Sequence, residues 1–353
     1  MCKLSERVNK IINKISVMKR ANLRIKNILR MFFLRHKLTQ SHKSYGKIYL
    51  PIYNLKYEIS SEEPVIYNRD GEAMRTFFIR DLHMAHNPYY SSKYFAWDRY
   101  NFALKTHFYT HNAMLETMGS PDYRYGWLLE SEAIVPDDYN VFKKYKTLNK
   151  EFNSIFTYSD RILDTVDNAK FFPGCAETWY GKPIGGGKMS EDAYNRKTKN
   201  ISIVSSDKVS CELHKYRIDL ARKYKNDSSV DTFGTFDGGL PIKIGESLQD
   251  YRYSIVIENF ISSYFFTERI TNCFAAQTIP IYIGAAKIDD FFNTDGIIQI
   301  HPKDFSNIDK IIKQCCQEDY EQRIPAVKEN YRRVQKYVNV LDYLYEEYLI
   351  NDK

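Results

Sequence analysis

Apolar positions in the C-terminal half of the chain fall into short β-rich runs separated by helix-length amphipathic stretches. Ile201–Val204, Val230–Phe233, Tyr253–Ile257, Ile279–Ile283 and Ile297–Ile300 are rich in Ile, Val, Tyr and Phe. Between them, Cys211–Lys225 and Thr267–Ala276 space their apolar residues for helices, and helical patterns fill the remainder to Leu349. Strands alternating with helices predict a parallel, doubly wound sheet, which takes ligands at the carboxyl ends of its strands.

The first half is less regular. From Lys47 to about Arg80, apolar runs are broken by Asn, Pro and Gly. Helices are predicted around Ala96–Phe108 and Ala113–Met118, a strand over Tyr123–Leu129, and an apolar burst at Ile155–Tyr158 leads into Asp160-Arg-Ile-Leu. This alternation also reads as α/β. Ahead of it, Leu4, Val8, Ile11, Ile15, Met18, Ile25, Leu29 and Phe32 recur at three- and four-residue steps, with Asn22 in the one gap. That is one apolar stripe on a helix.

At 353 residues the chain suits two domains of ~150 residues. The expected division is an arm over 1–45, an α/β domain over 46–180, a linker over 181–199 inside a Gly-, Lys- and Asn-rich stretch, a second α/β domain over 200–335, and a C-terminal helix over 336–353. Net charge is +7, but residues 1–45 carry twelve Lys/Arg against one acidic residue, Glu6, which leaves the rest at −4. An acidic body argues against a nucleic-acid-binding core. The basic stripe of the arm suits an anionic membrane interface, with a docking helix or a nucleic-acid tail as its other readings. Six scattered cysteines without a CxxC pair, and no apolar run long enough for a span or a signal peptide, point to a reducing, cytoplasmic setting, at most peripheral on an inner membrane face. On that reading the sequons at Asn200 and Asn226 are chance.

Three motifs are candidates for chemistry. Gly185-Gly186-Gly187-Lys188 fails as a phosphate loop, because Lys182 and Met189 stand where Gly and Ser or Thr are required. His83-Met-Ala-His86 and His107-Phe-Tyr-Thr-His111 lack the further ligands of a zinc site. No Asp-x-Asp pair is present, so a diphosphate site here calls for cationic side chains and no metal. The third motif, Glu258-Asn259 through Thr267-Glu268-Arg269, places a strand end before a capped helix whose first turn carries an arginine, a setting that attracts phosphate.

The run Tyr251-Arg-Tyr-Ser-Ile-Val-Ile-Glu-Asn, then Thr267-Glu-Arg-Ile-Thr-Asn-Cys-Phe-Ala-Ala-Gln-Thr-Ile-Pro-Ile-Tyr-Ile-Gly284, resembles the signature of the α1,3-fucosyltransferases, glycosyltransferase family 10. Val-Asp-Thr-Phe-Gly at 230–234 and Phe291-Phe-Asn-Thr-Asp-Gly-Ile-Ile flank it in the same order. The resemblance implies a GT-B fold of two Rossmann-like domains, with GDP-fucose in the C-terminal one and the acceptor in the N-terminal one. It implies donor contacts from Arg217, Asn259, Glu268 and Arg269, the last replacing the family's usual Lys. Phe265 stands where the family has Tyr, and Tyr264 beside it is the candidate to supply the missing hydroxyl. Trp127-Leu-Leu-Glu130-Ser-Glu132 resembles the segment that ends in the general base; Glu130 is the first choice and Glu132 the second, both expected on one side of a strand. The implied reaction is inverting transfer of fucose to the 3-hydroxyl of GlcNAc or glucose in an acceptor of N-acetyllactosamine type, such as a surface polysaccharide or lipopolysaccharide. The alternatives are a different nucleotide sugar, or a non-catalytic, membrane-docked glycan-binding module.

Overall fold

The structure, a computed structural model, describes residues 66–68, 70–80, 92–99 and 101–350. The basic arm and the His83/His86 pair lie outside the described residues. Two compact units divide the rest. The first holds the described residues up to Leu129 together with Asp137–Thr157 and Ile162–Lys170; the second holds Glu130–Pro136, Tyr158–Arg161 and the chain from Phe171 onward.

In the first unit, β1 (Ile66–Tyr67), β2 (Ala73–Arg80), β3 (Phe95–Asp98), β4 (Thr106–Thr110), β5 (Tyr123–Trp127), β6 (Ser154–Thr157) and β7 (Ala169–Phe171) form one sheet. Their order is β1-β2-β4-β5-β6-β7, with β3 paired to β2, and every pairing from β3 to β6 is parallel. The stretch Ala96–Phe108, predicted as helix, is instead β3, a turn and the start of β4. Aromatic side chains decide this, since they pack well on a pleated surface. Phe77 lies 4.6 Å from Phe95, Trp97 5.1 Å from Phe108 and Phe108 4.9 Å from Tyr125, ring to ring. Asp98 Oδ1 accepts from the Asn101 amide at 2.9 Å and turns the chain between them. Ala113–Met118 contributes to a single tight helical turn, His111–Glu116.

His107 and His111 are therefore on a strand and at the turn after it, not stacked on a helix. His107 Nδ1 is 2.8 Å from the Tyr109 hydroxyl. His111 Nδ1 is 3.1 Å from Asp138 Oδ2, and its Nε2 accepts from the Leu129 amide at 3.2 Å. Both are buried core groups.

Short helical turns α1 (Pro136–Tyr139) and α2 (Val141–Lys144) precede β6, and α3 (Asp160–Thr165) follows it. The second unit then runs β8 (Lys199–Val204), α4 (Glu212–Tyr224), β9 (Asp231–Phe233), α5 (Ile244–Leu248), β10 (Tyr251–Ile257), α6 (Glu268–Ala276), β11 (Ile279–Ile283) and β12 (Ile298–Gln299). All its pairings are parallel, in the order β12-β11-β10-β8-β9. Tyr253, Ile255 and Ile257 of β10 and Ile279, Ile281 and Ile283 of β11 alternate onto one buried face, which Leu220, Ala221 and Tyr224 of α4 cover. Both units are thus Rossmann-like α/β layers, the composition expected of GT-B. In the second unit the strand order reverses between the adjacent parallel strands β8 and β10, since β9 is added on one side of β8 and β10, β11 and β12 on the other. Such a switch point opens a ligand crevice at the carboxyl ends of the two strands.

The stretch expected to link two domains, 181–199, lies inside the second unit. Its preceding residues, Trp179 and Tyr180, both donate backbone N–H to Asn272 Oδ1 of α6, at 2.7 and 2.8 Å. Lys197 is buried and its Nζ donates to Leu248 O, Ala276 O and Thr278 Oγ1, closing the ends of α5 and α6. The glycines serve close approach, not flexibility: a Cβ on Gly185 would stand 2.1 Å from Trp179 O. After α7 (Ile308–Gln314), α8 (Gln317–Gln322) and α9 (Ile324–Val334), the C-terminal segment is α10 (Val340–Leu344), continued by a further helical turn to Leu349. No helix of the described residues is long and apolar enough to cross a membrane.

Candidate active site

All the site residues expected from sequence fall in the second unit, Glu130 included. The strand β10 delivers Glu258 and Asn259 to the crevice. Glu258 is fully buried and accepts twice from Thr267, from the amide at 3.0 Å and the hydroxyl at 2.7 Å. Thr267 Oγ1 in turn accepts from the Arg269 amide at 3.3 Å, and the Glu268 amide donates to Cys175 O at 2.7 Å. The cap predicted from sequence is therefore present, with a carboxylate behind it. The first two amides of α6 already have partners, so the helix start offers an anion its field and its arginine more than free N–H groups.

Arg217, one and a half turns into α4, is 1% exposed and donates Nη1 to Ile257 O, the last residue of β10, at 2.8 Å. Burial, and then the neighbouring Arg269, pull its pKa down to about 9, while Glu258 and Glu268 oppose this. It remains a cation at neutral pH. Two arginines from two helices therefore share one strand end, with buried Glu258 between their fields; burial raises that carboxyl to about 7. Arg269 and Glu268 are half-buried.

Glu130 is in a loop three residues past the end of β5, not in a strand. Its Oε1 accepts from the Ser131 amide at 2.8 Å and from Asn259 Nδ2 at 3.3 Å. Glu132 turns elsewhere: it pairs with Arg161 at 3.0 Å and accepts from the Ser159 hydroxyl. The structure thus joins Glu130 to Asn259 and Arg217 to Ile257 at the end of β10, places Glu268 and Arg269 at the start of α6, and leaves Glu132 engaged outside that set.

Residues 194–343 match the model of glycosyltransferase family 10 (fucosyltransferase), C-terminal part. This segment, which is less than half of the chain, is similar to the C-terminal part of that family. The Helicobacter pylori α-(1,3)-fucosyltransferase FucT is 33% identical over 67 residues, which are 19% of this chain and 14% of that protein. The chain therefore aligns with only about a seventh of that relative's length. Among solved structures, an α1,3-fucosyltransferase is similar at 12% identity and a TM-score of 0.44, covering 84% of this chain and 96% of the other. A trehalose-6-phosphate synthase, OtsA, is similar at 10% identity and a TM-score of 0.43, covering 68% and 70%.

The two aromatic positions in the loop before α6 can be compared with the expectation from sequence. Phe265 is buried, 4.6 Å from the Tyr158 ring, so it offers a ligand no surface. It works through packing: Tyr158 accepts from the Glu132 amide at 2.9 Å and donates to Glu130 O at 3.4 Å, and so holds the loop of the candidate base. The Tyr264 hydroxyl accepts from Lys287 Nζ at 3.2 Å, and its ring packs against Phe171 and Phe291. Sequence reading missed Glu258 as a supporting carboxylate, Cys175 as an acceptor for α6, and His214. Glu258 alone had a signal, an ionisable residue ending an apolar strand. Cys175 contributes through its backbone, which no sequence pattern marks. Among the described residues no three His, Cys, Asp or Glu side chains cluster as for a metal.

Proposed function

We propose that the chain is an inverting fucosyltransferase that moves fucose from GDP-fucose to the 3-hydroxyl of a GlcNAc or glucose residue, in a surface glycan of N-acetyllactosamine type. The match of residues 194–343 to the C-terminal model of glycosyltransferase family 10 supports the reaction class. The observation that carries the residue roles is the 3.3 Å contact between Glu130 and Asn259, which joins the candidate base to the strand end of the two arginines.

Glu130 takes the acceptor hydroxyl proton as that oxygen bonds to C1 of fucose. The bond from C1 to the diphosphate breaks on the opposite face, and its electron pair leaves with GDP. Arg217 and Arg269 receive the growing negative charge, which favours the transition state more than the ground state. The carboxylate of Glu268, at the first position of α6, offsets positive charge on the sugar ring. Guanidinium groups supply the neutralisation, so the proposal includes no metal and no cofactor.

Glu130→Gln is expected to cut kcat by ~10²–10⁴-fold, the usual worth of a general base, while GDP affinity is kept. Retention of most of kcat with GDP-fucose and N-acetyllactosamine would overturn the assignment. Running GDP-mannose and UDP-sugars in the same assay tests the choice of donor.

A further inference from the structure

His214 lies one helical turn before Arg217 on α4, so the two side chains share a face. It is 5% exposed, and its Nδ1 is buried without a partner among the described residues; the same is true of Nε of Arg217. Leaving a buried polar atom unpaired costs ~1–3 kcal/mol, so two such atoms on one helix face point to a ligand, not to packing alone. The groups around the imidazole come from four elements. Arg217 is on its own helix, Arg269 at the start of α6, Lys208 in the loop after β8, and Glu130 in the loop after β5. The Cys211 thiol, at the N-cap of α4, donates to Asn259 O. The ring is thus set among three cations and one carboxylate, a place suited to an anionic ligand.

We infer that His214 is a further donor-binding residue, whose imidazole N–H donates to an oxygen of the diphosphate that Arg217 and Arg269 hold. This rests on the donor reading above. Burial, and then the neighbouring cations, hold its pKa down to about 4, so the ring is neutral at pH 7. A neutral imidazole still carries one N–H donor. An arriving diphosphate reverses the local potential and favours the imidazolium, so binding draws a proton onto this ring as pH falls.

The test is calorimetry of GDP binding to the full chain, at about pH 6 and in buffers of different ionisation enthalpy, for wild type, His214→Gln and His214→Leu. Gln keeps an N–H, whereas Leu keeps only bulk. His214→Leu is expected to lose about tenfold in GDP affinity, in line with one hydrogen bond to a charged group, and His214→Gln to recover most of it. Wild type takes up more protons on binding than either variant, a difference that a purely structural histidine would not produce. If the Leu variant does not fold, proton uptake in wild type against the Gln variant decides alone. Unchanged affinity in the Leu variant, or equal proton uptake in wild type and Gln variant, overturns the inference while GDP binding by wild type leaves the donor site standing. Failure of wild type to bind GDP overturns both.

Discussion

Single residues in this site are defined by neighbours far away in sequence. Glu130 meets Asn259, and the Glu268 amide meets Cys175, across long stretches of chain. Sequence could nominate Glu130, Arg217 and Arg269 by type and motif, but burial is a property of the folded whole, which is why Phe265 turns out to be packing. Glu258 shows the same limit and carries a prediction. Its carboxyl is raised from 4.5 to about 7 by burial. The folded state therefore holds a proton that the unfolded state gives up, and this contribution is complete below about pH 4.5 and lost as pH rises to about 7. A tenfold difference in proton affinity between folded and unfolded chain is worth ~1.4 kcal/mol. Melting wild type and Glu258→Gln between about pH 5 and pH 8 should show wild type losing stability relative to the variant as pH rises. Parallel profiles would contradict the shift.

Among the elements, α6 was the most legible, because its signals are local. Thr267 sits where a cap belongs, and the structure adds Glu258 behind it. Thr267→Ala is expected to cost ~1–2 kcal/mol in chemical denaturation, the upper range for an N-cap, since it also leaves a buried carboxylate short of one donor. Thr267→Ser should restore most of this; an unaltered Ala variant would contradict the cap. The β10 and β11 strands were equally legible, as period-2 runs of Ile and Tyr that must bury one face. The stretch Ala96–Phe108 was not. Its aromatic residues fit a helix face as well as a strand by spacing, and only pairing of β3 and β4 with β2 decides between them.

For the whole molecule, charge separation read from sequence remains the strongest statement about location. The arm over 1–45 carries +11 and the remainder −4. We propose that it holds the enzyme on an anionic membrane surface, at the cytoplasmic face where lipid-linked acceptors are available. Full-length chain should float with anionic vesicles and release as salt rises. A truncation beginning at Ser44 should not float; equal flotation of the two would dispose of the proposal. Segments such as 173–199 show why domain limits resist sequence reading. Gly, Lys and Asn look like a linker, yet here glycines admit close backbone contacts and Lys197 is buried by four acceptors at helix and strand ends.

In the proposed reaction two guanidinium groups, from α4 and α6, receive the diphosphate of a sugar donor. A crystal structure with GDP tests this most directly. The diphosphate is expected against both Arg217 and Arg269, at the carboxyl end of β10 and within reach of His214. GDP bound away from both arginines would contradict it.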